Sequence, residues 1–211
     1  MMRIILLSGF LGSGKTTLLA QLAGYLGQTT VTDDPSGQRS ARVALIENEV
    51  GSKSLSSELP RCEGITSKEM LSSCITCALR DNLALAITHS AKTESPDWLL
   101  IETPELASAK EVAADIRSTV DRKLFSSISS IVVQDASRLA MFMEKSERLV
   151  GRQLEQVDVL ILNKVDKVSQ AELAGCLAIL EKIRPDTTPI ALSAESGVSG
   201  DTWQQVVSVL P

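Results

Sequence analysis

Apolar, mostly β-branched runs recur near residues 3–8, 42–47, 97–102, 128–134, 157–162 and 189–192. Each reads as a continuous run rather than an alternation, the pattern of a strand covered on both faces. Between them lie helical stripes. Leu18, Leu19, Leu22 and Leu26 share one face, and Leu173, Leu177, Leu180 and Ile183 share another, in a segment that ends before Pro185. Strands alternating with helices predict an α/β fold: a single domain with a mostly parallel, doubly wound sheet flanked by helices. The 211 residues suffice to bury a substantial core, and neither an internal repeat nor an interdomain linker interrupts them. Residues 28–41, "QTTVTDDPSGQRSA", predict an exposed loop between the first helix and the second strand. The stretch from Gly51 to about Ser73 predicts a second irregular region, long for a compact domain and of the kind that carries function.

The first strand runs into "GFLGSGKTTLL" and then into a helix. Gly9-x-x-x-x-Gly14-Lys15-Thr16 has the spacing of a phosphate-binding P-loop, in which glycines let the backbone wrap a polyphosphate and the lysine reaches its outer phosphates. The residues expected to line it are Gly9, Gly12, Ser13, Gly14, Lys15, Thr16 and Thr17, with the Thr16 hydroxyl on Mg²⁺. A glycine-rich turn that merely contains lysine is the alternative; the flanking strand and helix favour the phosphate loop. The expected architecture is therefore a P-loop NTPase domain, with Lys15 free of protein contacts until a nucleotide arrives.

More than a hundred residues later, "LILNKVDKV" ends a strand with Asn163-Lys164-x-Asp166. The Asp166 carboxylate can accept from the N1–H and exocyclic amine of guanine, which adenine does not offer in that arrangement. "ALSAESG" follows and adds Ser193 and Ala194 to the base site. "DWLLIETPE" places Glu102 at a strand end, where a carboxylate holds the magnesium shell. "RVALIENEVG" delivers Glu47, Asn48, Glu49 and Gly51 to the long irregular region, and "SSCITCALRDNL" closes it with Cys74 and Cys77.

A net charge of −5 and a pI near 5.0 argue against a broad nucleic-acid surface. No apolar run is long enough to span a bilayer, and "MMRIILLSGF" lacks a signal-peptide cleavage pattern, so the expected location is cytoplasmic. Four cysteines are too few for a disulfide scaffold. Cys62, Cys74 and Cys77 share the irregular region, and three thiolates suit a soft or borderline ion such as Zn²⁺ or Cu(I). Reduced thiols and a reversible disulfide are the alternatives there. Cys176 falls on an apolar stripe and is expected in the core, while His89 is expected on a helix as a surface or partly packed residue.

The chain resembles the CobW/HypB/UreG class of P-loop GTPases, most closely its CobW branch. The resemblance is carried by "GFLGSGKTTLL", "ENEVG", "SCITCALRDNL", "IET", "VVQDAS", "QVDVLILNKVD" and "LSAESG", in that order across nearly the whole sequence. It implies a GTPase domain over 1–211 that dimerises or docks with a client according to nucleotide state. The partners implied are GTP and GDP with Mg²⁺, and a client metalloprotein or corrinoid protein. The role implied is delivery or maintenance of a metal or metal-containing cofactor. Lys15, Glu102 and Glu105 are then the catalytic candidates, Thr16 and Glu102 the Mg²⁺ ligands, and Cys74, Cys77, Cys62 and Glu47 the candidates for a Zn²⁺-like or other transition-metal ion.

Three departures qualify the resemblance. Thr76 stands where relatives carry the inner cysteine of a CxCC motif. Glu105 stands where they carry a glycine whose amide faces the γ-phosphate. The smaller C-terminal domain of many relatives has no counterpart within these residues. A slowly hydrolysing switch, a nucleotide-dependent binding module that barely hydrolyses, and a P-loop kinase of a small metabolite therefore stay open, with "NKVD" weighing against the kinase.

Overall fold

The computed structural model describes residues 1–32, 37–49, 65–71, 77–104 and 107–211. In chain order the elements begin with β1 (Met2–Ser8), α1 (Lys15–Gly27), β2 (Thr30–Val31), β3 (Arg39–Ser40), β4 (Val43–Glu49), β5 (Ile65–Leu71) and α2 (Cys77–Thr93). They continue with β6 (Trp98–Glu102), α3 (Ala109–Thr119), β7 (Phe125–Asp135), α4 (Leu139–Gln153) and β8 (Val159–Asn163). A single 3-10 turn (Val165–Lys167), α5 (Gln170–Ile183), β9 (Ile190–Ala191) and α6 (Gly200–Ser208) complete the order.

Seven strands form one sheet in the order β5-β4-β6-β1-β7-β8-β9, and every neighbouring pair is parallel. All six apolar runs in the sequence are strands of this sheet. Helix-linked parallel strands must be covered on both faces, and the core divides accordingly. Leu18, Leu19, Leu22 and Leu26 of α1 pack with Ile5, Leu7, Leu45, Ile131 and Ile161 and with Trp203 of α6 on one face. The opposite face buries Ile4, Leu6, Ile101 and Ile116, and beside them Val132, Leu160 and Leu162 under α4 and α5.

Three expectations change. The region from Gly51 to about Ser73 is not wholly irregular, because its 65–71 segment is strand β5, pairing with β4 from Val43↔Ile65 to Glu49↔Leu71. "ITSKEML" lacks the apolar run of the other strands because it is an edge strand with one partner. Within 28–41, two residues on each side form the small antiparallel β2–β3 ribbon. On α5 the stripe is shallower than its sequence suggests: Leu180 and Cys176 are buried, whereas Leu173, Leu177 and Ile183 are half-buried at the rim. Cys176 is in the core and His89 is exposed, as expected.

The order places β1 between β6 and β7, where the chain passes from one half of the sheet to the other. The carboxyl ends of strands at such a crossing form the crevice in which open α/β sheets bind ligands. β1 delivers the glycine-rich turn to that point.

Candidate nucleotide-binding site

The turn after β1 takes backbone conformations that a side chain would oppose. Gly9, Gly12 and Gly14 have φ of 145°, 75° and 97°. A Cβ at Gly14 would meet Asn163 Nδ2 at 2.2 Å, and one at Gly9 would meet the Val133 carbonyl oxygen at 2.2 Å. The turn is therefore specified by close packing on β7 and β8 as well as by dihedral angle.

Helix α1 starts from this turn with no side-chain cap and no acidic residue in its first turn. Helices α3, α5 and α6 instead use Ser108, Ser169 and Ser199 as caps. An uncapped N-terminus at a strand end leaves N–H donors and the positive end of the helix dipole for an anion. The Ser13 hydroxyl is also buried there with no hydrogen-bond partner among the described residues.

Lys15 is 5% exposed and is not free of protein contacts. Its Nζ donates to the Phe10 carbonyl at 3.3 Å and lies 3.6 Å from Glu102 Oε1. The Thr16 hydroxyl donates to Glu102 Oε2 at 3.0 Å. A buried ammonium is costly unless a carboxylate lies beside it, and Glu102 supplies one here. The hydroxyl of Thr16 and the carboxylate of Glu102, named in the sequence as a pair, thus come together across 86 positions of chain. Both are hard oxygen donors of the kind that suits Mg²⁺. Glu47 is buried at the carboxyl end of β4, beside β6; Ile46 pairs with Ile101, so Glu47 and Glu102 are the next residues on the two strands.

On the other side of β1, Asn163 ends β8 at 1% exposure. Its Nδ2 donates to the Ser13 carbonyl at 2.8 Å, and its Oδ1 accepts from Ala194 N–H at 2.9 Å. One amide thus ties the glycine-rich turn to the loop after β9. Asp166 is exposed on the 3-10 turn, where the neighbouring Ser193 side chain, with smaller help from its own backbone and from Lys167 and Lys164, holds its carboxyl below the usual aspartate range. Asn163, Asp166, Ser193 and Ala194 therefore converge. Lys164, with φ of 63°, turns back to donate to the Gly12 carbonyl and to Asp135 Oδ2.

The sequence reading did not include Asp135 and Arg138 in the site. Arg138 Nη1 donates to the Leu11 carbonyl at 2.9 Å. "VVQDAS" was the available signal, because it closes the strand next to β1. Glu105, Cys62 and Cys74 lie outside the described residues, and Cys77 is the first residue of α2. Among the described residues, no three of His, Cys, Asp and Glu cluster closely enough to hold a metal ion, and no helix is long and apolar enough to cross a membrane.

With this geometry in place, comparisons with known proteins place the domain. The family profile described as "CobW/HypB/UreG, nucleotide-binding domain" matches residues 3–190. The chain is 25% identical to the zinc-regulated GTPase metalloprotein activator 1 of Dictyostelium discoideum, over 87% of this chain and 44% of that protein. It is 25% identical to the zinc chaperone YeiR of Escherichia coli K12, over 80% of this chain and 48% of that protein. The chain thus spans about half the length of these curated relatives. The crystal structure of HypB from Helicobacter pylori in complex with nickel superposes with a TM-score of 0.59 at 14% identity, covering 97% of this chain and 83% of that one, a likeness of fold.

Proposed function

Since the chain belongs to the CobW/HypB/UreG family, of which it carries the nucleotide-binding domain, we propose that it is a GTP-binding switch that hydrolyses GTP slowly and serves the delivery of a transition metal, zinc before others. The observation that carries GTP is the convergence at the end of β8. Asn163 links the P-loop to the Ala194 loop, and Asp166 stands beside Ser193 as an exposed, readily ionised acceptor for the guanine edge. Gly9, Gly12, Ser13, Gly14, Lys15, Thr16 and Thr17 would cradle the phosphates. Thr16 and Glu102 would hold Mg²⁺, which supplies charge neutralisation on the phosphate oxygens when bound.

Zinc as the cargo is supported by the names of the relatives, which describe a zinc-regulated GTPase and a zinc chaperone. Delivery of a corrinoid is the narrower reading of the branch name, and neither of these relatives' names repeats it. In this proposal Cys74 and Cys77, with Cys62 or Glu47, receive the ion, the protein acts in the cytoplasm, and the GTP-bound form pairs with a second copy or a client metalloprotein. The GTPase domain of this proposal is residues 1–211.

Competition binding of GTP, ATP and GDP tests the base, and single-turnover phosphate release with Mg²⁺ tests the chemistry. Equal ATP and GTP affinity would overturn the guanine assignment. Absence of phosphate release would leave a nucleotide-dependent binding module, and transfer to an added acceptor would mark a kinase. Zinc titration of reduced wild type and of Cys74→Ser/Cys77→Ser, with and without a non-hydrolysable GTP analogue, tests the cargo. By linkage, any change that GTP makes in zinc affinity must appear as the same factor in GTP affinity. Identical zinc binding by both proteins would exclude these cysteines.

A further inference from the structure

The polar residues of "VVQDAS", Gln134, Asp135 and Ser137, lie at and just beyond the carboxyl end of β7. Asp135 ends β7 with its side chain 2% exposed. Its two oxygens are divided between two jobs. Oδ1 accepts from Ser137 N–H at 3.0 Å and from Ser137 Oγ at 2.6 Å, which fixes the plane of the carboxylate. Oδ2, held by that turn, accepts from Lys164 Nζ at 2.7 Å. The same ammonium donates to the Gly12 carbonyl. Lys164 reaches both acceptors from a left-handed backbone conformation, φ 63° and ψ 36°, which residues with a Cβ seldom adopt and which persists where the surroundings over-determine it. Arg138, three residues beyond Asp135, donates to the adjacent Leu11 carbonyl at 2.9 Å and lies over the Phe142 ring at 4.8 Å.

Two consecutive P-loop carbonyls, Leu11 and Gly12, are thus held by two cations, and only one of these, Lys164, also belongs to the proposed base-reading segment. A lysine with a four-carbon stem is a flexible tether by itself. A buried carboxylate whose own orientation is fixed converts it into a strap. We propose that Asp135 is a positioning residue: it locks Lys164 across the mouth of the site, so that the base end and the phosphate end are held as one unit and a bound guanine nucleotide leaves slowly. The inference rests on the nucleotide reading above and adds to it the residue that sets the lifetime of the complex.

Asp135→Asn removes the charge and keeps the shape. The measurement is the release rate of a fluorescent GDP analogue from wild type, Asp135→Asn, Lys164→Ala and the double variant, with thermal unfolding followed in parallel. Asp135→Asn should accelerate release about tenfold, within the coupling that contacting charged residues show. The double variant should release no faster than Lys164→Ala alone, because Asp135 acts through Lys164. Release of GDP and of inosine diphosphate should accelerate by the same factor, since the strap does not read the exocyclic amine.

Wild-type release from Asp135→Asn, or accelerations that multiply in the double variant, would overturn the proposal. A changed ratio between the two nucleotides would do so too, by placing Asp135 in base reading. Should Asp135→Asn not fold, Asp135→Glu, which keeps the charge but displaces its oxygens from Ser137, takes its place in the same cycle with the same expectations. Wild-type protein that retains ADP as long as GDP overturns the nucleotide reading and this inference with it. Wild-type protein selective for GDP beside a silent Asp135 variant overturns this inference alone.

Discussion

The two ends of the candidate site are prepared for a ligand in opposite ways. At the phosphate end the chemistry is buried and already engaged with itself: Lys15 faces Glu102, and Thr16 donates to the same carboxylate. At the base end the scaffold is buried but the reader is not. Asn163 is sealed between the P-loop and the Ala194 loop, while Asp166 stands exposed on a 3-10 turn. A buried cation cannot wait unpaired, whereas an exposed carboxylate can, because water solvates it. Nucleotide binding at the first end must exchange one ion pair for another. At the second it only has to displace water from a formed acceptor. Affinity should therefore depend mainly on the phosphate end and discrimination on the base end.

The largest test of that division is Lys15→Ala. Loss of an ammonium that faces a polyphosphate in a water-poor cradle is expected to weaken GTP and GDP by about 100-fold or more, without changing the preference for guanine over adenine. Calorimetric titration with both bases reads the two quantities together. Because Lys15 also lies against Glu102, the variant should not be silent towards folding, and its unfolding midpoint should shift as well. Unchanged GTP affinity would remove the phosphate end from the site.

Asn163→Ala attacks the scaffold that joins the ends. It leaves the buried Ser13 carbonyl and the Ala194 N–H without partners. At about 1–3 kcal/mol for each of the two orphaned groups, a loss of about 2–6 kcal/mol of stability is expected. For a chain of this length that corresponds to a fall of roughly 4–24 °C in Tm. The fall should appear without nucleotide, which separates a scaffold from a reader. A Tm within a degree of wild type would mean that water replaces the amide, and that the two ends are not joined through Asn163.

Asp166→Asn is the converse, a reader changed on an intact scaffold. An exposed side chain contributes little to folding, so Tm should hold. GTP affinity should fall by about 10–100-fold and xanthosine triphosphate should gain, because the amide donates where xanthine carries a carbonyl in place of the amine. A variant that loses ATP and GTP equally would place Asp166 outside base recognition.

The contrast between the ends also explains how much of the site the sequence conveyed. Gly9 to Thr16 could be read from spacing because local backbone geometry is the mechanism, and local geometry leaves a local pattern. The Asn163–Asp166 segment could be read for the same reason. Six strands were legible because burial on both faces demands continuous apolar runs, and α1 because its four leucines fill one buried face. β5 was not, since an edge strand paired through its backbone with β4 needs no continuous apolar run. The engagement of Lys15 with Glu102, the strap of Lys164 to Asp135 and the reach of Arg138 to Leu11 join positions 29 to 127 residues apart. They depend on strand order, which no single segment encodes. Cys62, Cys74 and Glu105 lie outside the described residues.

The smallest effect is expected from Ser193→Ala, and it is read against pH. In its proposed role, Asp166 must be ionised to accept from guanine N1–H and the exocyclic amine. The Ser193 hydroxyl is the largest of the influences that hold its carboxyl below the usual range, so the wild-type reader stays charged as the solution is acidified towards the ordinary aspartate value near 3.9. Removing the hydroxyl moves that titration upward. At pH 7 both proteins carry the carboxylate, and GTP affinity should differ by no more than a few-fold. As pH falls below about 5, the variant should lose affinity ahead of wild type, because its acceptor is protonated first. The nucleotide's own phosphates take up protons over the acidic range, but equally for both proteins, so the ratio of the two affinities isolates Asp166. Calorimetry from pH 7 down to the limit of folding supplies that ratio. One that stays flat would mean that Ser193 does not tune the reader, and that neighbouring Lys164 and Lys167 suffice to keep it charged.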